Sequence, residues 1–243
     1  MEKHKGYQDY LTKEKERGVK KIAKNFACKN DFLYKLYMRL TDIPIKKLSS
    51  VPNIKNADKI LDVGCGTGNI IDYIGRFLNP KAKFYCLDLD KNPLLSEKIE
   101  FSKCDVDVEA FLFSDNEFDV VISSFVIEHL KNPQNLFSET FRTLKSGGYF
   151  YCVTDYYTSV FCPDGYNFYS DPTHVRPWTK KSLSTLAEMS GFEVYKVGVV
   201  RWWEYLTLLL PVFPVITLLT PHNFSFIPCE ILGRTVYIIA KKP

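Results

Sequence analysis

Two groups of residues in this chain have the types and spacing to do chemistry. The first is Asp62 followed by Gly64, Gly66 and Gly68, an acid and then three glycines at alternate positions. A Cβ at such positions would block a tight turn, or the approach of a ligand to bare backbone. A dinucleotide fingerprint needs G-x-G-x-x-G, and here the register is G-x-G-x-G, with Asn69 where the last glycine would stand. Asp62 would repel a pyrophosphate and suits a ligand carrying an amino group and a positive charge. Asp88 extends this group. A carboxylate has two oxygens and only accepts hydrogen bonds, so it matches the two donors of a ribose diol. The second group is His129, Asp155, Asp171, His174 and Arg176. An imidazole titrates near neutrality, so His174 or His129 can take up a proton, with Asp155 and Asp171 as carboxylate alternatives. Arg176 can grip a phosphate or carboxylate bidentately, or pair with Asp171.

The elements that must position these groups follow from hydrophobic period. The apolar run that begins at Lys59 ends at the acid Asp62, and reads as a buried strand. Ile70, Ile71, Ile74, Phe77 and Leu78 then share one helical face, which Asn79-Pro80 ends. Strand, glycine turn and helix make the opening unit of a doubly wound α/β sheet. Further strands are predicted at Lys83–Asp88, Ile99–Cys104, Glu117–Ser124 and Tyr149–Thr154. Asp90 reads as the cap of a helix after the first of these. A helix capped by Asn132, with Pro133 at its first position, buries Leu136, Phe137, Thr140, Phe141 and Leu144 and closes at Ser146-Gly147-Gly148. Thr179 caps another that bears Leu183, Leu186 and Ala187. Phe192–Val200 and Arg234–Lys241 close the sheet as an antiparallel pair. The irregular stretch from Asp155 to Trp178, beyond the carboxyl end of the fifth strand, is where functional loops concentrate.

Asp62 through Gly68, DVGCGTG, resembles the first motif of class I S-adenosylmethionine-dependent methyltransferases, and Phe118–Val121 with Glu128-His129-Leu130 resembles that family's "FDVV…EHL" segment. The resemblance covers roughly residues 55–242. It implies a Rossmann-like methyltransferase fold, a mostly parallel seven-stranded sheet with an antiparallel last strand. It also implies S-adenosylmethionine as cofactor and S-adenosylhomocysteine as product; no metal is expected. Asp62, Gly64, Cys65, Gly66, Gly68, Asp88, Leu89, Val108, Ser123 and Ser124 would line the cofactor site, with Ser123 and Ser124 at a strand end facing its methionine half. An acid binds the adenine amino group in the family; here it is Asp105 counting from the strand end, or Asp107 counting back from Asp119, the preferred choice. The run Asp171-Pro172-Thr173-His174-Val175-Arg176-Pro177, with Trp178 and Thr179, resembles methyltransferases associated with bacterial surface-polysaccharide assembly. Methyl transfer from a sulfonium is an in-line displacement, so a hydroxyl acceptor needs positioning and a base. The bases weighed are His174, His129 and Asp155, with Asp171, His174 and Arg176 meeting the acceptor.

At 243 residues the chain suits one α/β domain with an extension, read as an N-terminal helical extension at 1–50 and a methyltransferase domain at 51–243. Asp31 reads as the cap of a helix in the extension, with Phe32, Leu33, Leu36, Tyr37 and Leu40 on one face and Thr41–Pro44 as its stop. Seven cysteines, at 28, 65, 86, 104, 152, 162 and 229, contain no C-x-x-C pair, so zinc is not expected and a reducing, cytoplasmic setting is. Residues 1–60 carry fifteen Lys/Arg against seven Asp/Glu in a chain of net charge +4. Such a basic segment reads first as a solvated face, then as a surface for an anion, a membrane or RNA. No RNA-binding module accompanies it, so RNA methylation stands second to a small-molecule or glycan-linked acceptor, and a non-catalytic scaffold third. An inserted apolar segment at 204–230 contains the run at 206–220, too short and too broken by Pro211 and Pro214 to span a bilayer. It reads as internal packing, a homodimer contact or an interfacial membrane contact.

Overall fold

The computed structural model describes residues 30–41, 43–162, 167–201 and 233–243. The apolar run at 206–220, the polar first 29 residues, Cys28 and Cys229 lie outside these. The chain divides into two units, Met1–Ile43 and Pro44–Pro243. Helix α1, Asp31–Thr41, belongs to the first. Its cap is Asn30 and not Asp31: the Asn30 side-chain oxygen accepts from the amides of Phe32 and Leu33. Asp31 instead adds an acid to the first turn, where the helix dipole favours it. A second helix, α2 at Ile43–Leu48, follows where the sequence was read as stopping. Proline is tolerated in a first turn because its missing N–H has no helical acceptor there.

The second unit is built on one seven-stranded sheet, with strands β1 Lys59–Val63, β2 Lys83–Asp88, β3 Glu100–Lys103, β4 Phe118–Ser124, β5 Leu144–Asp155, β6 Glu193–Val200 and β7 Thr235–Lys241. Their spatial order is β3-β2-β1-β4-β5-β7-β6. The first five are parallel, and β7 runs antiparallel between β5 and β6. This is the expected fold, with the closing pair as read from the sequence. Strands buried on both faces need near-continuous apolar runs, and Ile60, Leu61, Val63, Val120, Val121 and Ile122 are all sealed from solvent. Strand order reverses between β1 and β4, which pair as far as Val63 against Ser123. Their carboxyl ends therefore open side by side, at the switch point where such sheets bind ligands.

Among the described residues, three helices flank the sheet: α3 Asn69–Phe77, α4 Pro133–Thr143 and α5 Lys180–Met189. Helix α3 starts at Gly68 and buries Ile70, Ile71, Tyr73 and Ile74. The α5 cap is the one expected, with Thr179 and Ser182 exchanging side-chain and backbone hydrogen bonds in a capping box. Helix α4 starts at Asn132-Pro133 as read, but without a side-chain cap bond, and it ends at Thr143. Strand β5 then begins at Leu144, and its register against β4 slips between Phe118 and Val120. The Ser146-Gly147-Gly148 run makes this irregularity rather than a helix stop. A Cβ on Gly148 would press on the carbonyls of Lys145 and Asp119, so the glycine lets backbone meet backbone. No helix follows β2: Asp90 pairs with Lys103 instead. No helix of the described residues is long and apolar enough to cross a membrane.

Candidate functional site

The glycine loop leaves β1 at Asp62, which is buried in the sheet. The amides of Gly64 and Cys65 both donate to the Leu87 carbonyl on β2, at 2.7 and 3.2 Å. The Gly66 amide donates to Asp88 Oδ2 at 2.8 Å, and the Leu89 amide to Asp88 Oδ1 at 2.7 Å. Asp88, the acid chosen for a ribose, thus also clamps the loop. Gly64 and Gly66 sit at φ +73° and +52°, a left-handed conformation costly to any residue with a side chain. They differ in surroundings. A Cβ on Gly64 would run into Val126, whereas nothing lies within 4 Å of a Cβ on Gly66. Loop packing demands the first glycine; open space stands over the second. Behind the loop, a hydrogen bond with Cys65 and then burial hold the Cys86 thiol well above the ordinary thiol range.

The remaining cofactor candidates surround this loop unevenly. Ser123 is fully buried at the end of β4, and its hydroxyl has no partner among the described residues. Ser124 is half-buried beside it. Asp105 opens a turn in which its Oδ1 accepts from the Asp107 amide, while Asp107 Oδ1 accepts from the Asn132 amide at 2.6 Å. The preferred adenine acid therefore also tethers the start of α4. Val108 is exposed. Phe125 follows Ser124 at φ +54°, rare for a bulky side chain, and strained backbone of this kind concentrates at functional sites.

If Asp88 binds the ribose of a nucleoside ligand, Asp88→Ala removes one or two charge-assisted bonds and the clamp on Gly66 together. Each such bond contributes about 1.5–3 kcal/mol. Affinity for S-adenosylmethionine should fall at least tenfold by titration calorimetry, with the fold intact by circular dichroism. Unchanged affinity would show that Asp88 serves the loop alone.

The second group converges where β4 and β5 end. After Phe125 the chain makes a 3-10 turn, Ile127–His129. The loop beyond β5 is laid across it by backbone bonds. Tyr157 donates to the Trp178 carbonyl, Trp178 to the Asp155 carbonyl, and Val175 to the Glu128 carbonyl at 2.8 Å. These bonds bring His174 against His129, ring centroids 4.7 Å apart, and against Phe168 at 4.5 Å. His174 does not pack on Trp178 in this arrangement, and the cap of α5 is Thr179.

Hydrogen bonds fix the orientation of both imidazoles. His174 Nδ1 lies 2.7 Å from the Phe168 carbonyl, which only accepts, so Nδ1 carries the proton and the neutral ring holds its lone pair on Nε2. The Thr173 hydroxyl donates to Asp171 Oδ1 at 2.6 Å and lies 2.8 Å from His129 Nδ1. Its one hydrogen goes to the carboxylate, so His129 Nδ1 donates to it. Asp155 and Asp171 flank His174, with Oδ2 of each 4.0 Å from Nδ1 and Nε2 respectively.

Electrostatics separate the candidates. Burial, and then the neighbouring His174, push His129 down to about 4, which makes it a weak proton acceptor at neutral pH. Burial raises Asp155 above the usual carboxylate range, and Asp171 adds to the shift while His174 and Arg234 oppose it. Arg176 forms no ion pair with Asp171 among the described residues. It lies over the Trp178 ring at 5.7 Å and donates to the Lys131 carbonyl.

Two contributors carry no role in the sequence reading. Glu128 is fully buried, accepts the Thr154 hydroxyl on Oε2 at 2.8 Å, and has Oε1 without a partner among the described residues. Burial and then the charge of Asp155 push it up to about 8. Thr173 is the other, linking His129 to Asp171. The Glu128-His129 pair was visible as a motif, but nothing in its spacing shows that the acid is sealed from water.

Residues 61–152 match the family described as a methyltransferase domain. A malonyl-[acyl-carrier protein] O-methyltransferase of Marinomonas sp. is 31% identical over 122 residues, covering 48% of this chain and 45% of that protein. A ubiquinone/menaquinone biosynthesis C-methyltransferase of Hahella chejuensis is 27% identical over 164 residues, covering 60% of this chain and 62% of that protein. The chain thus spans about half the length of these curated relatives. A SAM-dependent methyltransferase from Archaeoglobus fulgidus superposes with TM-score 0.61 at 21% identity, over 96% of this chain and 99% of that one, a likeness of fold. The DVGCGTG loop, the reversed strand order and the match over residues 61–152 agree, and that stretch of the chain is a methyltransferase domain similar to those of S-adenosylmethionine-dependent enzymes.

Proposed function

We propose that the chain methylates a hydroxyl oxygen of a small or glycan-linked acceptor, with S-adenosylmethionine as donor and S-adenosylhomocysteine as product. The observation that carries this reading is a proton-accepting cluster beside a cofactor cradle at the carboxyl ends of β1, β4 and β5, joined where Val126 packs on Gly64. The residues present fit the cofactor. Open space over Gly66, a buried hydroxyl at Ser123 and the carboxylates of Asp62 and Asp88 match a ligand with an amino group, a positive charge and a diol. Asp88 and Leu89 would hold the ribose, the Asp105–Val108 turn the adenine, and Asp62, Cys65, Ser123 and Ser124 the methionine half.

When bound, S-adenosylmethionine supplies an electrophilic methyl group on sulfur. The protein's own part is to orient the acceptor and to receive its proton. His174 Nε2 takes that proton, its ring held by the Phe168 carbonyl, and the carboxylates of Asp155 and Asp171 stabilise the imidazolium that results. His129 acts on position, through Thr173 and Asp171. Arg176 and Asp171 would meet polar groups of the acceptor. The likeness of Asp171–Thr179 to enzymes of surface-polysaccharide assembly supports a glycan-linked acceptor, and the O-methyltransferase among the relatives supports oxygen as the atom modified.

The test is transfer of labelled methyl from S-adenosylmethionine to a panel of nucleotide sugars, lipid-linked glycans, quinone precursors, carboxylic acids and tRNA. Product methylated on a hydroxyl oxygen is expected. Label on carbon, on a carboxylate or on tRNA would replace the reading.

A further inference from the structure

The expectation of no metal rested on cysteine spacing, which does not report on a ligand set assembled from two separate loops. We propose that Glu128, His129 and His174 form a binding site for one divalent transition-metal ion. One ligand atom from each of the three lies within 4.8 Å of the others. Donors held at about 2.1 Å by a tetrahedral ion stand roughly 3.4 Å apart, so binding draws the three inward. Imidazole nitrogen with a single carboxylate oxygen selects zinc, cobalt, iron or nickel over magnesium and calcium.

Three further observations point to an ion. Glu128 is sealed from solvent with Oε1 unpartnered among the described residues, and a buried acceptor without a donor is a standing cost. A cation at Oε1 removes it, while the Thr154 hydroxyl on Oε2 fixes the carboxylate. Both imidazoles donate from Nδ1 to fixed acceptors, the Phe168 carbonyl and the Thr173 hydroxyl backed by Asp171, so both lone pairs sit on Nε2. Metal-binding histidines are oriented in this way by their outer contacts. Finally, Asp155 and Asp171 stand 4.0 Å from the His174 ring and give the pocket a negative surround.

The inference deepens the reading of this site: ion binding itself stands apart from methyl transfer, and its regulatory consequence rests on the proposed role of His174. Ion ligation and proton uptake use the same lone pair on His174, so a bound ion shuts off the base and regulates the site.

The experiment is a cobalt(II) titration of the untagged, chelator-treated full chain, with neither cofactor nor acceptor present. A visible ligand-field band saturating at one equivalent, and displaced by zinc(II), is expected. The midpoint should shift at least tenfold in His129→Ala and in His174→Gln, each checked for folding by circular dichroism. No band in the wild-type chain, or an unchanged midpoint in both variants, overturns the site. Because the readout is metal binding alone, its failure leaves the methyl-transfer reading untouched.

Discussion

His174→Gln should lower turnover by about 10²–10⁴-fold, the range associated with loss of a general base, while leaving affinity for S-adenosylmethionine within twofold or so. The reasoning starts from the ring's fixed orientation. Nδ1 donates to the Phe168 carbonyl, so Nε2 is the atom that accepts, and two carboxylates lie within 4.0 Å of the ring. Glutamine keeps a hydrogen-bonding side chain of similar reach but has no atom that takes a proton near pH 7. The effect should therefore fall on kcat, with KM for the acceptor little changed. Chelator in the assay separates proton uptake from any effect of a bound cation. His129 offers a contrast, because its depressed proton affinity makes it a poor base; its loss should act through the placing of Thr173 and His174. Near-normal turnover in His174→Gln would remove the proton-transfer role and leave Asp155, whose raised proton affinity suits the task.

Gly66→Val should abolish cofactor binding, with no heat detectable at concentrations that saturate the wild-type chain. Two effects combine. At φ +52° a β-branched residue is strained, at an order-of-magnitude cost of 1–3 kcal/mol. Its Cβ also projects into space that meets no protein atom within 4 Å, the space a ligand would need. Circular dichroism checks that the sheet still stands on its buried strands, so that lost binding reports on the loop and not on global unfolding. Gly64→Ala makes a useful companion. Its Cβ strikes Val126, so it should reduce thermal stability more than Gly66→Ala does. Wild-type affinity in a folded Gly66→Val protein would mean that the cofactor does not pass over this glycine.

Much of the architecture was legible in the sequence because the signals that specify it are local. Apolar runs such as Ile60–Val63 and Val120–Ile122 mark strands buried on both faces. The three alternating glycines mark a turn no other residue makes cheaply. Thr179 with Ser182 caps α5 through contacts three residues apart. Where local signals were ambiguous the reading slipped. Asn30 rather than Asp31 took the first cap, and the glycines at 147 and 148 served a strand irregularity because β4 lay alongside to pair with.

The sequence by itself determined that a glycine turn and a strand-end acid would fall together after β1, since Asp62, the glycines and Asp88 lie within one βαβ unit. It also named His129, Asp155, Asp171 and His174, but as separate candidates. Only the tertiary structure decided that they meet. The reason is that their meeting depends on backbone hydrogen bonds between distant segments, Val175 to Glu128 and Trp178 to Asp155, which leave no periodic trace. Burial is likewise a property of the packed whole. It makes His129 a weak base, pushes the Glu128 carboxyl up to about 8, and turns an unremarked acid beside a histidine into part of the site.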